Sequence, residues 1–278
     1  MTSFVAWMGV DSRGPASLYL ASDSRISWSD VDHWDCGRKV FASTRTPDLL
    51  GYVGDVLFPS LVLGQIASAI DMGTLYPPAA SPEVRFDRIS ALIKTSFSEL
   101  PYRARLPFTV FYATRDGEGM KTTFYLWALS WRQGSSWHEE SIPIPNASSA
   151  IRVSGSGASV VDKWQSYWES SSQGGTSRAV FGALCDAICS GSDPRSGGAP
   201  QLVGLFRKST AQTIGVVVDK TPYVLGLPVT ADQDHTCHIE WRNTLFERVS
   251  ANGDLLQQAQ RHHAPSGLGN SIERFDSR

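Results

Sequence analysis

The first fifty-five residues constrain the fold most, because they divide into four successive strand-like pieces. The chain opens Met1-Thr2-Ser3-Phe4-Val5-Ala6-Trp7, an alternating apolar run that predicts a strand beginning at the terminus itself. Leu18-Tyr19-Leu20-Ala21-Ser22 predicts a second strand and runs straight into Asp23-Ser24-Arg25. Arg38-Lys39-Val40-Phe41 and Leu49-Leu50-Gly51-Tyr52-Val53-Gly54-Asp55 supply the other two.

After Asp55 the period changes. Leu57, Leu61, Ile66 and Ile70 recur at helical spacing until Gly73. A Pro/Ala-rich loop from Tyr76 to Pro82 leads to a second helix, Glu83 to Leu100, with Phe86, Ile89, Leu92, Ile93 and Phe97 on it. Strands are predicted at Phe108–Thr114 and Thr122–Trp131 around the turn Arg115-Asp116-Gly117. Ser141–Asn146 reads as a short edge strand, since Pro143 and Pro145 exclude a central one. Ile151–Ala158 is a strand and glycine turn, followed by a helix through Val160, Val161, Trp164 and Trp168, then a helix over Thr176–Ser190. Gln201–Phe206, Thr213–Val218 and Pro222–Leu225 complete a second sheet. Two helices stacked after four strands suit one layer of an αββα sandwich, so the expected class is α+β, a four-layer αββα sandwich.

Residues 1–229 are expected to form one domain and residues 230–278 a C-terminal extension. Helices are expected there near Ile239–Arg248 and Asp254–His263, ahead of a polar tail. No internal repeat or second-domain linker is visible. With 41% hydrophobic and 19% charged residues, the chain can bury a substantial core. A net charge of −2 points to neither nucleic acid nor a membrane surface. No apolar run of about eighteen residues occurs, and no basic region followed by an apolar one opens the chain, so a cytoplasmic protein is expected.

Cysteines number four: Cys36, Cys185, Cys189 and Cys237. Cys185, Cys189, Cys237, His238 and His235 match no common zinc-ligand spacing, so small buried hydrophobes are expected and no metal or cofactor is assigned. His262 and His263 read as solvated. The Gly155-Ser156-Gly157 turn lacks the lysine of a P-loop and is not read as a phosphate site.

Thr2, Asp23, Lys39, the Gly54 turn and Asp193 with Ser196-Gly197 fall in one order along the chain. In that order they resemble the proteasome β subunits and their bacterial two-tier relatives, hydrolases with an N-terminal threonine nucleophile; the resemblance covers roughly residues 2–226. A threonine hydroxyl needs a base in reach, and an N-terminal threonine carries one in its own α-amine, which titrates near ~7.7–8.0. Thr2 can play that part only after removal of Met1.

The resemblance implies that Lys39 supplies positive charge beside the nucleophile and that Asp23 holds the lysine; loss of Lys39 is expected to cost rate with little loss of stability. It implies that Gly54 offers the oxyanion N–H, that Tyr52 floors the primary specificity pocket, and that Ser156 lies beside the nucleophile, with Ser154 as the alternative register. Asp193 and Ser196 would orient the amine. Two departures stand out: the first hairpin is longer, through Asp11-Ser12-Arg13-Gly14-Pro15, and Asp55 replaces a frequent second glycine. The implied activity is peptide-bond hydrolysis through an acyl-enzyme, in a homo-oligomer of stacked rings. An amidase acting on a small amide and a catalytically silent ring or scaffold component are the alternatives. An unfoldase partner is left open.

Overall fold

The computed structural model describes residues 2–230 and 238–265. Its strands are β1 (Phe4–Asp11), β2 (Gly14–Ser22), β3 (Ile26–Ser27), β4 (His33–Trp34), β5 (Val40–Ala42) and β6 (Asp48–Gly54). Then follow α1 (Leu57–Asp71), α2 (Pro82–Ser98), β7 (Phe108–Asp116), β8 (Thr123–Trp131), β9 (His138–Ile142) and β10 (Ser149–Ser154). The last part holds α3 (Ala158–Glu169), α4 (Ser177–Cys189), β11 (Gln201–Phe206), β12 (Gln212–Val218), β13 (Thr221–Val224), β14 (Leu227–Pro228), β15 (Trp241–Asn243) and β16 (Arg248–Val249).

Two antiparallel sheets dominate. The larger runs β10-β1-β2-β11-β12-β13-β14, with β15 and β16 joined through β12, and the smaller runs β5-β6-β7-β8-β9. Alternation along β1 explains their packing: Phe4, Ala6 and Met8 meet Val40, Leu49, Val53 and Phe111 of the small sheet, whereas Val5 and Trp7 turn to Val180, Phe181 and Leu184 of α4. The Phe4 and Phe111 rings stack at 4.4 Å between the sheets. Leu50, Tyr52, Val110 and Tyr112 face the opposite way, onto Phe58, Leu63 and Ile66 of α1 and Phe86, Ile89 and Ile93 of α2. Local chemistry sets the helix starts. Ser81 accepts from the Val84 N–H ahead of Pro82 and Glu83, and Thr176 accepts from Ala179.

The expected four-layer αββα sandwich is corrected. Among the described residues the molecule is mostly antiparallel sheet, with 33% strand against 25% helix and four α-helices. Strands lie about 4.8 Å apart and a helix with its side chains is about 10 Å across, so two helices span only about four strands. Part of the large sheet's outer face is closed by the C-terminal segment instead. Phe246 packs edge-on against Trp7 and Tyr19 and tilts against Phe181.

The two C-terminal helices are corrected as well: 239–248 contains β15, which pairs in parallel with β12, and 254–263 is turn and irregular chain. Trp241 covers Gly215, where an added Cβ would stand 2.2 Å from the ring. The edge strand expected at 141–146 lies at His138–Ile142 and ends before Pro143. Cys237, His235, Met1 and the polar tail beyond 265 lie outside the described residues. Cys185 is buried against α4's apolar neighbours. Among the described residues no group of three or more His, Cys, Asp or Glu could hold a metal ion, and no helix is long and apolar enough to cross a membrane.

Candidate active site

Strand pairing brings Thr2 to the centre of the site. Phe4 pairs with Ser154 on one side and Ser22 on the other, so Thr2 and Ser3 emerge between the Gly155-Ser156-Gly157 turn and Asp23. Both glycines are required by contact. Gly155 has φ +100, and a Cβ there would stand 1.8 Å from the Thr2 carbonyl oxygen; one on Gly157 would stand 2.0 Å from Ser3 Oγ. The Thr2 N–H donates to Ser156 Oγ at 3.3 Å, and the Gly157 N–H donates to the Thr2 carbonyl at 3.3 Å. Ser156 is therefore the residue beside Thr2, while Ser154 is spent in the β1–β10 ladder.

Asp23, fully buried, organises the other side. Its Oδ1 accepts from Lys39 Nζ at 2.8 Å and from the Ser3 N–H at 2.9 Å, and its Oδ2 accepts from the N–H groups of Gly197 at 3.0 Å and Arg25 at 3.1 Å. A buried carboxylate is tolerated when it is paired and bonded in this way. Lys39, also fully buried, is thus placed one residue from Thr2, through an oxygen it shares with Ser3. Burial pushes its ammonium below the ordinary lysine value, with Asp23 opposing that shift.

A chain of hydroxyls links the threonine to Asp193. Ser156 Oγ and Ser196 Oγ each donate to Asp193 Oδ2 at 2.8 Å, and Ser3 Oγ donates to Ser196 Oγ at 2.9 Å. Burial raises the Asp193 carboxyl, but the bonds from Ser196, Ser156 and the Arg195 N–H outweigh it and hold the group below the usual aspartate range. Beside this network the Thr2 hydroxyl is fully buried and has no hydrogen-bond partner. A buried polar atom without a partner is uncommon, and among the described residues Trp7 Nε1 and Arg115 Nε are others.

Gly54 ends β6 with φ +97, and a Cβ there would stand 2.6 Å from the Pro107 carbonyl oxygen, so glycine is needed. The Tyr52 N–H donates to the Lys39 carbonyl and the Asp55 N–H to that of Pro107. This alternation turns the Gly54 N–H to the β5 side, where β5 itself begins only at Val40. Tyr52 is fully buried among α1 and α2 residues, and its hydroxyl donates to the Arg38 carbonyl at 3.1 Å.

Of the sequence-derived residues, Thr2, Asp23, Lys39, Ser156, Asp193 and Ser196 converge in one hydrogen-bonded network, with Gly54 and Tyr52 on the adjoining strand. Sequence reasoning missed Ser3, Arg25 and Gln201. Arg25 grips Asp35 with two bonds, of 2.7 and 2.8 Å, and its guanidinium lies where a Gly197 side chain would be, only 2.4 Å from an added Cβ. Gln201 had a legible signal: one polar residue opening an otherwise apolar strand, Gln201-Leu202-Val203-Gly204-Leu205-Phe206. No family model matches the sequence, and no curated protein matches it.

Proposed function

We propose that the protein is a threonine-type peptidase whose nucleophile is the Thr2 hydroxyl, acting through an acyl-enzyme once Met1 has been removed. The observation that carries this reading is the buried, unpartnered Thr2 hydroxyl set beside the Lys39–Asp23 pair and the Ser156–Asp193–Ser196 relay. With a free α-amine, the Thr2 nitrogen takes the hydroxyl proton as Oγ1 attacks the scissile carbonyl carbon. The oxyanion that forms is held by the Gly54 N–H, with the Lys39 charge favouring deprotonation of the hydroxyl. Collapse breaks the C–N bond; the amine leaves with the proton returned from the α-ammonium, and water then hydrolyses the ester. Ser156 and Asp193 hold the amine in place for both transfers. Assembly into stacked rings follows from the resemblance alone. Tyr52 filling the space beside Gly54 favours substrates with a small acyl side chain, which a small amide would satisfy as well as a peptide.

Intact mass and turnover test the reading together. Protein lacking Met1 is expected to cleave a fluorogenic peptide or a small amide and to be labelled at Thr2 by a peptide epoxyketone or a β-lactone. Thr2→Ala should lose both, Thr2→Ser should keep part of the rate, and protein retaining Met1 should be folded and inactive. A processed protein that cleaves no peptide, casein or amide and resists both electrophiles overturns it in favour of a scaffold role.

A further inference from the structure

Asp23 and Lys39 meet as an ion pair, yet they come from different sheets. Asp23 follows β2 of the large sheet, and Lys39 precedes β5 of the small one. Between them residues 24–38 make an excursion containing the β3–β4 hairpin, with Trp28 and Val31 exposed at its tip. The covalent chain therefore does little to fix the lysine's position against the threonine; a loop of this length closes over many geometries.

The Gly37 N–H to Ser24 carbonyl bond and the Arg25–Asp35 pair close the excursion on itself, and Gln201 ties it to β11. Gln201 opens β11, its backbone pairs with Ser22, and it is fully buried. Its Nε2 donates to the carbonyl oxygens of Asp23 at 3.1 Å and Gly37 at 2.7 Å, and its Oε1 accepts from the Lys39 N–H at 3.0 Å. One side chain thus spans the start of the excursion, its end and the lysine's own backbone. Only a primary amide offers two donors and an acceptor without charge, and asparagine is one carbon too short to stand in its place. Gly226, at φ +87, closes the space behind it: a Cβ there would stand 2.6 Å from Ser24 Cβ and 3.4 Å from Gln201 Nε2.

We infer that Gln201 is a positioning residue, acting through Lys39: it sets where the lysine ammonium stands relative to Thr2 by tying both ends of the 24–38 excursion to β11. This rests on the peptidase reading. Asp23 keeps its bonds from Ser3, Arg25 and Gly197 without Gln201, and the Lys39 carbonyl keeps its bond from the Tyr52 N–H, so the carboxylate stays while the Lys39 N–H loses the Gln201 bond.

Gln201→Met keeps the volume and removes all three bonds; Gln201→Asn keeps the amide and withdraws it. In processed protein, kcat for a fluorogenic peptide should fall about 10- to 100-fold, since a displacement near 1 Å can cost that much. KM should stay within about twofold, because uniform binding is untouched. The rate of β-lactone labelling at Thr2 should fall in step with kcat, and the alkaline limb of the kcat profile should move. A folded variant with wild-type kcat and wild-type alkaline limb overturns the inference. So does failure of both variants to fold, which would make Gln201 a stability residue alone. Wild-type protein that neither turns over nor takes label sinks the peptidase reading itself, whatever the variants do.

Discussion

Asp23 and Asp48 are both buried carboxylates, and they have opposite characters. Asp23 is bonded by three backbone N–H groups and Lys39, next to a threonine hydroxyl with no partner. Asp48, in β6, accepts from the Tyr112 hydroxyl at 2.5 Å and the Tyr76 hydroxyl at 2.6 Å, with Arg85 3.9 Å away. Arg85 is itself bonded to Thr114 Oγ1 and the Ala80 carbonyl. Burial, and then the Asp48 charge, push both phenols well above the ordinary tyrosine value, so they remain donors. The Asp48 cluster is closed: it staples α2 and the loop before it to the small sheet. The Asp23 cluster adjoins one unpartnered atom, the Thr2 hydroxyl, which we propose as the nucleophile.

Removing the cations or anions should separate the two clusters. Lys39→Ala is expected to lower kcat about 10²- to 10³-fold, as loss of a charge-stabilising donor does. It should also cost about 3–5 kcal/mol of stability, because it strands a buried carboxylate. That second effect corrects the expectation of little stability loss, because the lysine is fully buried. Lys39→Arg should not restore the rate, since a planar fork cannot replace a compact ammonium. Denaturant titration beside steady-state kinetics measures both; wild-type kcat in Lys39→Ala would remove the lysine from the mechanism.

Asp48→Asn should give the reverse pattern. It weakens two charge-assisted bonds, each contributing about 1.5–3 kcal/mol, and should leave kcat within error. A kinetic defect at unchanged stability would break the contrast between the clusters.

The smallest effect is in the pH profile. Activity needs the α-amine neutral and Lys39 charged, so it should rise as pH passes the amine's pKa and fall as pH passes that of Lys39. Because burial lowers the Lys39 value, the alkaline limb should lie below that of an ordinary lysine. Asp193, held below the usual aspartate range, should stay ionised throughout; its stabilisation is present above that range and is lost as pH falls through the depressed value. A kcat profile whose alkaline limb matches an exposed lysine would place the charge elsewhere.

Local pattern alone determined much of this protein. The strands through Trp7, Ser22 and Val53, the helices after Asp55 and before Ser190, and the glycines at 54, 155 and 157 were all legible, because period and backbone freedom are properties of neighbouring residues. The residues of the candidate site were legible one at a time, as types in an order. Tertiary structure decided what they touch. It joined Thr2 to Ser156 and Asp193 across more than 150 positions, chose Ser156 over Ser154, and buried Tyr52 under α1. It also paired 241–243 with β12 as a short strand, and packed the Phe246 ring, on a residue at φ +62, edge-on against Trp7 and Tyr19. Contacts between distant segments leave no periodic trace in either segment. Sheet pairing and packing select them, and so Gln201, an ordinary polar residue at the head of a strand, shows its place only when Asp23, Gly37 and Lys39 are brought around it.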